Sequence, residues 1–182
     1  MSPNESPAGR PAVFLDRDGT LMPDVDYCRD PALVKVFPGA RKALQQMHDA
    51  GFLLAIITNQ SGIGRGYFSE TEYRAVAAEL DRQLGDALIA ATYFCPDHPE
   101  QPTARRKPGI GMILEAQRDL GIDLARSFMI GDKAIDAECG RNAGLGTILV
   151  QTGQSKTGDS AGADWSARDL TEAAEIVIRH AH

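Results

Sequence analysis

The chain has 182 residues, a formal net charge of −6, 43% apolar residues and 24% charged ones. That length suits one domain with a core of its own, and the acidic balance argues against a nucleic-acid footprint, which is normally basic. No apolar run approaches the ~18 residues of a membrane span, the opening residues lack the charged and apolar regions of a signal peptide, and the cysteines Cys28, Cys95 and Cys139 are odd in number and widely spaced, so a reducing, cytoplasmic setting is expected rather than a disulfide framework.

Residues 1–10 read as a flexible lead-in and 11–182 as a single domain. A first apolar strand is predicted over 12–16, followed by a helix over 38–50 that aligns Ala40, Ala43, Leu44 and Met47 and stops at Gly51. Residues 52–57 are apolar throughout, as befits a strand buried on both faces. A helix over 69–84 opens with the capping box Ser69 and Glu72 and carries Tyr73, Val76, Ala77, Leu80 and Leu84 on one stripe. Strands over 89–94, 127–130 and 147–150 alternate with helices over 111–120, 133–143 and 169–180. Trp165 is expected to pack the last segment onto the domain, and the Gly- and Ser-rich stretch 152–163 to be poorly ordered. The rhythm is that of an α/β protein: a parallel sheet between two helical layers. Ligands in such folds bind beyond the carboxyl ends of the strands.

The predicted strand ends carry a distinctive set of side chains. The first runs into Asp16-Arg17-Asp18-Gly19-Thr20, which sets two carboxyl groups at i and i+2 beside a glycine that permits a sharp turn. The second ends in Thr58-Asn59-Gln60-Ser61-Gly62, a run of small hydroxyl and amide donors. Arg105-Arg106-Lys107-Pro108 precedes the helix over 111–120, and the fourth strand ends in Gly131-Asp132-Lys133 with Asp136 one turn on. Each segment alone reads equally well as a capped turn, helix-terminal charge or a solvated basic run. Together, in order and at successive strand ends, they point to a phosphate and a hard divalent cation such as magnesium, which prefers oxygen donors.

These motifs closely resemble those of the haloacid dehalogenase superfamily of phosphohydrolases, and FLDRDGT, TNQSGIGRG, RKPG and GDK resemble its branch of heptose-bisphosphate and histidinol-phosphate phosphatases. The resemblance covers roughly residues 12–152. It implies a three-layer sandwich with a central parallel sheet of Rossmann-like topology and a minimal cap. The short spacing between motifs agrees with that cap. It also implies a nucleophile at Asp16, a general acid and base at Asp18, and magnesium held by Asp16, the backbone carbonyl of Asp18 and Asp132. Asp136 is expected just behind the metal. Thr58, Asn59 and Lys107 would hold the transferring phosphoryl group, Thr20 would brace the first loop, and Gln60, Ser61, Arg65, Arg106 and Lys133 would meet the rest of the substrate. An arginine suits a distal phosphate, and the fork of Arg65 could supply it.

One departure stands out. The family's zinc loop is shortened here to Cys95-Pro96-Asp97-His98, with no later cysteine pair. A structural zinc site wants four ligands and only Cys95 and His98 remain, so no zinc is expected. The implied activity is removal of the 7-phosphate of a heptose 1,7-bisphosphate by a monomeric enzyme without nucleic-acid or membrane partners. Histidinol phosphate is the alternative substrate. A non-catalytic phosphosugar-binding module is disfavoured because Asp16, Asp18, Lys107 and Asp132 are all intact, and a mutase because the chain has no room for a closing cap.

Overall fold

In the computed structural model, which describes residues 9–85, 87–154 and 161–181, the apolar segments assemble into one six-stranded, all-parallel sheet. The strands are β1 (Ala12–Leu15), β2 (Leu53–Asn59), β3 (Ala91–Cys95), β4 (Phe128–Gly131), β5 (Gly146–Val150) and β6 (Trp165–Ala167). Their spatial order is β3-β2-β1-β4-β5-β6. Every residue of β1 is buried, because a strand faces both helical layers with alternate side chains. Val13 and Leu15 join one core with Leu44, Leu54, Ile56, Leu80, Ile130 and Val177. Ala12 and Phe14 join the other with Ala55, Ile57, Met112, Ile113 and Met129. The first layer is α1 (Ala40–Asp49), α3 (Glu70–Leu84) and α6 (Leu170–Arg179); the second is α4 (Gly111–Leu120) and α5 (Ala134–Asn142).

The predicted α/β sandwich is therefore present, with element ends shifted by a residue or two. Three features escaped the periodicity reading. A one-turn helix α2 (Ser61–Gly64) follows β2, the 3-10 turns Pro31–Leu33 and Leu124–Arg126 lie in connections, and β6 forms around Trp165. Trp165 packs against Phe128 at 6.0 Å and His180 at 4.6 Å between ring centroids, so it does fasten the last segment as expected.

The segments expected to be loose fall partly outside the described residues, at 1–8 and 155–160. Within the described part, Arg10 bridges to Ile122 and donates its backbone N–H to Gly121. Thr152 and Gln154 bond to the strand-end loops, which corrects the expectation of poor order there. Among the described residues no helix is long and apolar enough to cross a membrane.

The chain lays down β1, β2 and β3 toward one edge and then returns to place β4 on the other side of β1. Connections diverge at the β1–β4 junction, so a crevice opens there at the carboxyl ends. Among the described residues only loops and α2 stand above it: 16–39 carries one 3-10 turn, and 60–69 carries α2.

The α3 capping box is formed as predicted, with the Ser69 hydroxyl accepting from the Glu72 N–H at 3.2 Å and the Glu72 carboxylate from the Ser69 N–H at 2.7 Å. Ser69→Ala is expected to cost about 1 kcal/mol, read as a lower urea midpoint at unchanged m-value. An unchanged midpoint would mean the box adds nothing to stability.

Candidate active site

Asp16 follows β1 directly, and its backbone N–H donates to the Ile130 carbonyl of β4 at 3.0 Å. Extension of the β1–β4 ladder by this bond brings the carboxyl to the crevice floor. Asp132 follows β4 and Asp136 begins the next turn, in α5. The three carboxylates offer oxygen atoms that all lie within 4.8 Å of one another. All three residues are buried.

Three glycines make this convergence possible. A side chain at Gly19, which adopts φ +84°, would run into the Asp132 carboxylate, as would one at Gly153; at Gly131 it would strike Asp136.

Three buried carboxylates repel one another unless positive charge is supplied. Lys107, itself 3% exposed, reaches in from the loop before α4. Its ammonium donates to Asp16 Oδ1 at 2.7 Å, Asp136 Oδ1 at 2.7 Å and the Ile57 carbonyl at 3.0 Å. Its three donors are thereby all used. Burial pulls the Lys107 pKa down, but Asp136 and Asp16 outweigh that and hold it above its usual value. Burial pushes Asp16 up against the opposing pull of Lys107.

Asp132 makes no such ion pair among the described residues. Burial, and then the Asp16 charge, push it up to about 7, and Lys133 lowers it only weakly. Its Oδ2 accepts from the Gln154 N–H at 2.9 Å, while its Oδ1 is buried and without a partner. One lysine among three carboxylates, with one orphaned oxygen, is a donor set that a divalent cation completes: hard, anionic and all oxygen.

Beside this centre lies a cleft of about 240 Å³ lined by Asp18, Arg17, Asn59, Gln60, Ser61 and Lys133, with Asp24, Asp26, Tyr27 and Gln154 among the rest. Asp18 is held by its neighbours. Arg17 donates through Nε and Nη2 at 3.1 Å each, and Gln60 Nε2 donates at 3.1 Å. The Gln60 amide also donates to Thr58 Oγ1 at 2.8 Å and accepts from Arg17 Nη2 at 3.2 Å. Arg17 is 2% exposed and lies over the Tyr73 ring at 5.7 Å. Asn59 exchanges two hydrogen bonds with the Lys107 backbone, at 3.0 and 3.1 Å, and so pins the lysine loop to β2.

The sequence-predicted residues Asp16, Lys107, Asp132 and Asp136 thus meet at the β1–β4 junction, with Asp18, Asn59, Gln60 and Ser61 along the adjoining cleft, while Thr58 is buried near the end of β2 under the Gln60 amide. Asp136 binds Lys107 through one oxygen and the Lys133 N–H through the other. Lys133 Nζ reaches Asp24 at 3.1 Å. Arg65 is exposed at the end of α2 and Arg106 donates to the Asp97 carbonyl at 3.4 Å; neither lines the cleft. Thr20 does not brace its loop through its hydroxyl, which is buried without a partner; Thr152 Oγ1 does so by donating to the Gly19 carbonyl at 2.7 Å. In the shortened loop, Asp97 Oδ2 accepts from the N–H and hydroxyl of Thr103 at 2.7 and 2.6 Å, and His98 Nδ1 accepts from the Glu100 N–H at 3.2 Å.

Sequence reasoning missed Arg17, Asp24, Asp26, Tyr27, Thr152 and Gln154. The signal for Arg17 was its place between the two paired aspartates. Thr152 and Gln154 were hidden in a low-complexity run.

Comparison with known proteins follows the same lines. The HAD-hydrolase-like family model matches residues 104–173. The chain is 39% identical over 173 residues to the D-glycero-beta-D-manno-heptose-1,7-bisphosphate 7-phosphatase of Yersinia pestis, covering 89% of this chain and 92% of that one. It is 42% identical over 161 residues to the protein of the same name from Haemophilus ducreyi, covering 83% and 88%. A crystal structure of the D,D-heptose 1,7-bisphosphate phosphatase of B. bronchiseptica, complexed with magnesium and phosphate, superposes with a TM-score of 0.84 at 30% identity, covering 94% of this chain and 99% of that one.

The raised pKa of Asp132 has a consequence for the metal-free protein. A carboxyl that titrates near 7 when folded and near 3.8 when free leaves the folded state holding more protons between those values, so stability falls as pH rises through that window. In chelator, Asp132→Asn is expected to melt about 3–6 °C above wild type at pH 8, corresponding to about 1–2 kcal/mol, and to match it at pH 4. Saturating magnesium should erase the advantage at pH 8. Equal melting temperatures at pH 8 in chelator would count against the buried-charge account.

Proposed function

We propose, for a chain that belongs to the haloacid dehalogenase-like hydrolases and is a phosphatase, that its substrate is D-glycero-D-manno-heptose 1,7-bisphosphate and that it removes the 7-phosphate through a phosphorylated Asp16. The observation that carries this reading is the buried cluster of Asp16, Asp132 and Asp136 around Lys107 at the β1–β4 junction. The heptose assignment rests on similarity to enzymes of that name over nearly the whole chain.

Asp16 attacks phosphorus, displacing the alcohol oxygen and forming an acyl phosphate. This splits one very slow hydrolysis into two displacements. Lys107 holds the Asp16 carboxylate in place through Oδ1, which leaves Oδ2 as the attacking atom. Asp18 gives a proton to the departing alkoxide, then takes one from the water that attacks the phosphorus and regenerates Asp16. Thr58 and the Asn59 backbone N–H donate to the phosphoryl oxygens, stabilising charge where it builds up. Arg17 and Gln60 set the direction of the Asp18 carboxylate.

Asp16, the Asp18 carbonyl and Asp132 would hold magnesium, with Asp136 behind them. When bound, it neutralises the charge that would otherwise keep a phosphate dianion from Asp16. Lys133, which lines the cleft, supplies positive charge for a distal phosphate, while Arg65 and Arg106 stand on loops outside it.

Phosphate release is to be measured from both anomers of heptose 1,7-bisphosphate and from histidinol phosphate, with and without magnesium. A preference for one heptose anomer is expected, lost in chelator and reduced ~10³-fold or more in Asp16→Asn. Asp18→Asn should lose ~10²–10⁴-fold. Preference for histidinol phosphate, whose ammonium the acidic rim of Asp24 and Asp26 would suit, would keep the chemistry and remove the heptose assignment. Undiminished turnover by Asp16→Asn would remove the mechanism.

A further inference from the structure

The mechanism accounts for the floor of the cleft and leaves its mouth unexplained. There the loop 24–30 presents Tyr27, which lines the cleft while 44% exposed. Tyr67, 50% exposed, arrives from the loop after α2 and meets Tyr27 edge-on, with ring centroids 4.7 Å apart and planes at 79°. Arg29 ties the two loops by donating to the Tyr67 carbonyl at 3.3 Å. Large aromatic rings left in water beside a catalytic cleft call for an occupant.

The backbone is committed to this arrangement. Asp26 and Tyr27 both adopt positive φ, 39° and 54°, two successive non-glycine residues in a region L-residues avoid. Strain of this kind, of order 1–3 kcal/mol per residue, collects at ligand clamps. Gly62 of α2 makes room first for the buried Phe68 ring and then for Tyr27: a Cβ there would collide with Phe68 and stand 2.8 Å from Tyr27 Cδ1. A strained loop, a glycine cleared for the ring and a second tyrosine at its edge together hold one aromatic face at the entrance. Beside it, Asp24 and the exposed Asp26 carry carboxylate oxygens that accept hydrogen bonds.

We propose that Tyr27, steadied by Tyr67, is the wall against which the apolar C–H face of a sugar ring stacks, while Asp24 and Asp26 accept hydrogen bonds from its hydroxyls. A ring with one apolar face and a polar rim matches an aromatic wall beside carboxylate acceptors. Tyr27 is thus a specificity-determining residue for the ring-bearing part of the substrate, and this rests on the sugar-phosphate reading above.

The test compares kcat/KM on heptose 1,7-bisphosphate, a panel of hexopyranose phosphates, and acetyl phosphate, which has no ring. For Tyr27→Ala the ratio of sugar phosphate to acetyl phosphate should fall about tenfold, mostly through KM, about the worth of one buried apolar side-chain face. Tyr27→Phe should keep the ratio within about threefold, since the ring and not the hydroxyl makes the contact. Tyr67→Ala should give a smaller fall in the same direction. An unchanged ratio in Tyr27→Ala, or equal losses on sugar and acetyl phosphates, would overturn the wall, the second by showing a purely structural role. Failure of the heptose reading looks different: wild type then hydrolyses hexose phosphates but not heptose bisphosphate, and the Tyr27 ratio is still read on the hexoses. Wild type that hydrolyses acetyl phosphate and no sugar phosphate would overturn both.

Discussion

Everything at the carboxyl end of the sheet is arranged around one ammonium group buried among carboxylates. Lys107 cannot be buried alone, because desolvation would strip its charge. Asp16 and Asp136 cannot be buried facing each other without it. The three therefore form a unit, and removing the lysine leaves two buried carboxylates without their cation, a defect of several kcal/mol. The unit still does not balance, because Asp132 adds a third carboxylate. Once Asp132 is ionised the folded protein carries a local excess of negative charge at the centre where the proposed phosphate substrate docks. Such a site is electrostatically incomplete, and the incompleteness defines the cofactor: a small divalent cation held by oxygen. Only with that charge in place does the field at Asp16 turn favourable to a phosphate.

The fold makes this affordable by topology. Asp16 and Asp132 each sit one step past strands that are hydrogen-bonded neighbours, so their backbones are fixed by the sheet and not by loop packing. The glycines at 19, 131 and 153 then let side chains approach backbones where any Cβ would intrude. Lys107 comes from a long connection, and its position is correspondingly less secure. The reciprocal bonds between Asn59 and the Lys107 backbone anchor it to β2. A residue chosen in the sequence as a phosphate donor therefore also serves to aim the lysine.

Legibility in the sequence followed the range of the interactions concerned. The sheet and its helices were readable because burial imposes a local period on side chains, as in the apolar run of β2 and the Ser69–Glu72 box. The aspartates of the cluster were readable because strand ends and short turns set their spacing within a few residues. β6 was not readable: three residues around a single tryptophan carry no period, and the strand exists only because β5 offers an edge. Arg65 and Arg106 stand outside the cleft. Charge type suggested a phosphate contact, but exposure and direction belong to tertiary structure, and the cleft is lined instead by Arg17 and Lys133. Thr152 and Gln154 lay in a run whose composition resembles a linker, and their role depends on partners more than 20 residues away.

Among the described residues no domain covers the cleft. The proposed acyl phosphate on Asp16 could pass its phosphoryl group to water or to another alcohol, and the outcome would be set by which acceptor reaches it. Phosphoryl transfer between alcohols requires that water be kept out. Among the described residues only loops and the one-turn α2 stand above this cleft, an opening that suits the proposed hydrolysis, in which Asp18, held by Arg17 and Gln60, is the proposed acceptor of the water's proton. The same openness removes the contacts by which a lid would recognise the remainder of the substrate. Selectivity must then come from the rim, and a rim made of short loops can discriminate only if those loops are rigid. The paired positive φ values at Asp26 and Tyr27, the Arg29 tie to Tyr67 and the Lys133–Asp24 ion pair supply that rigidity. An uncapped phosphatase thus trades a moving lid for a stiff mouth.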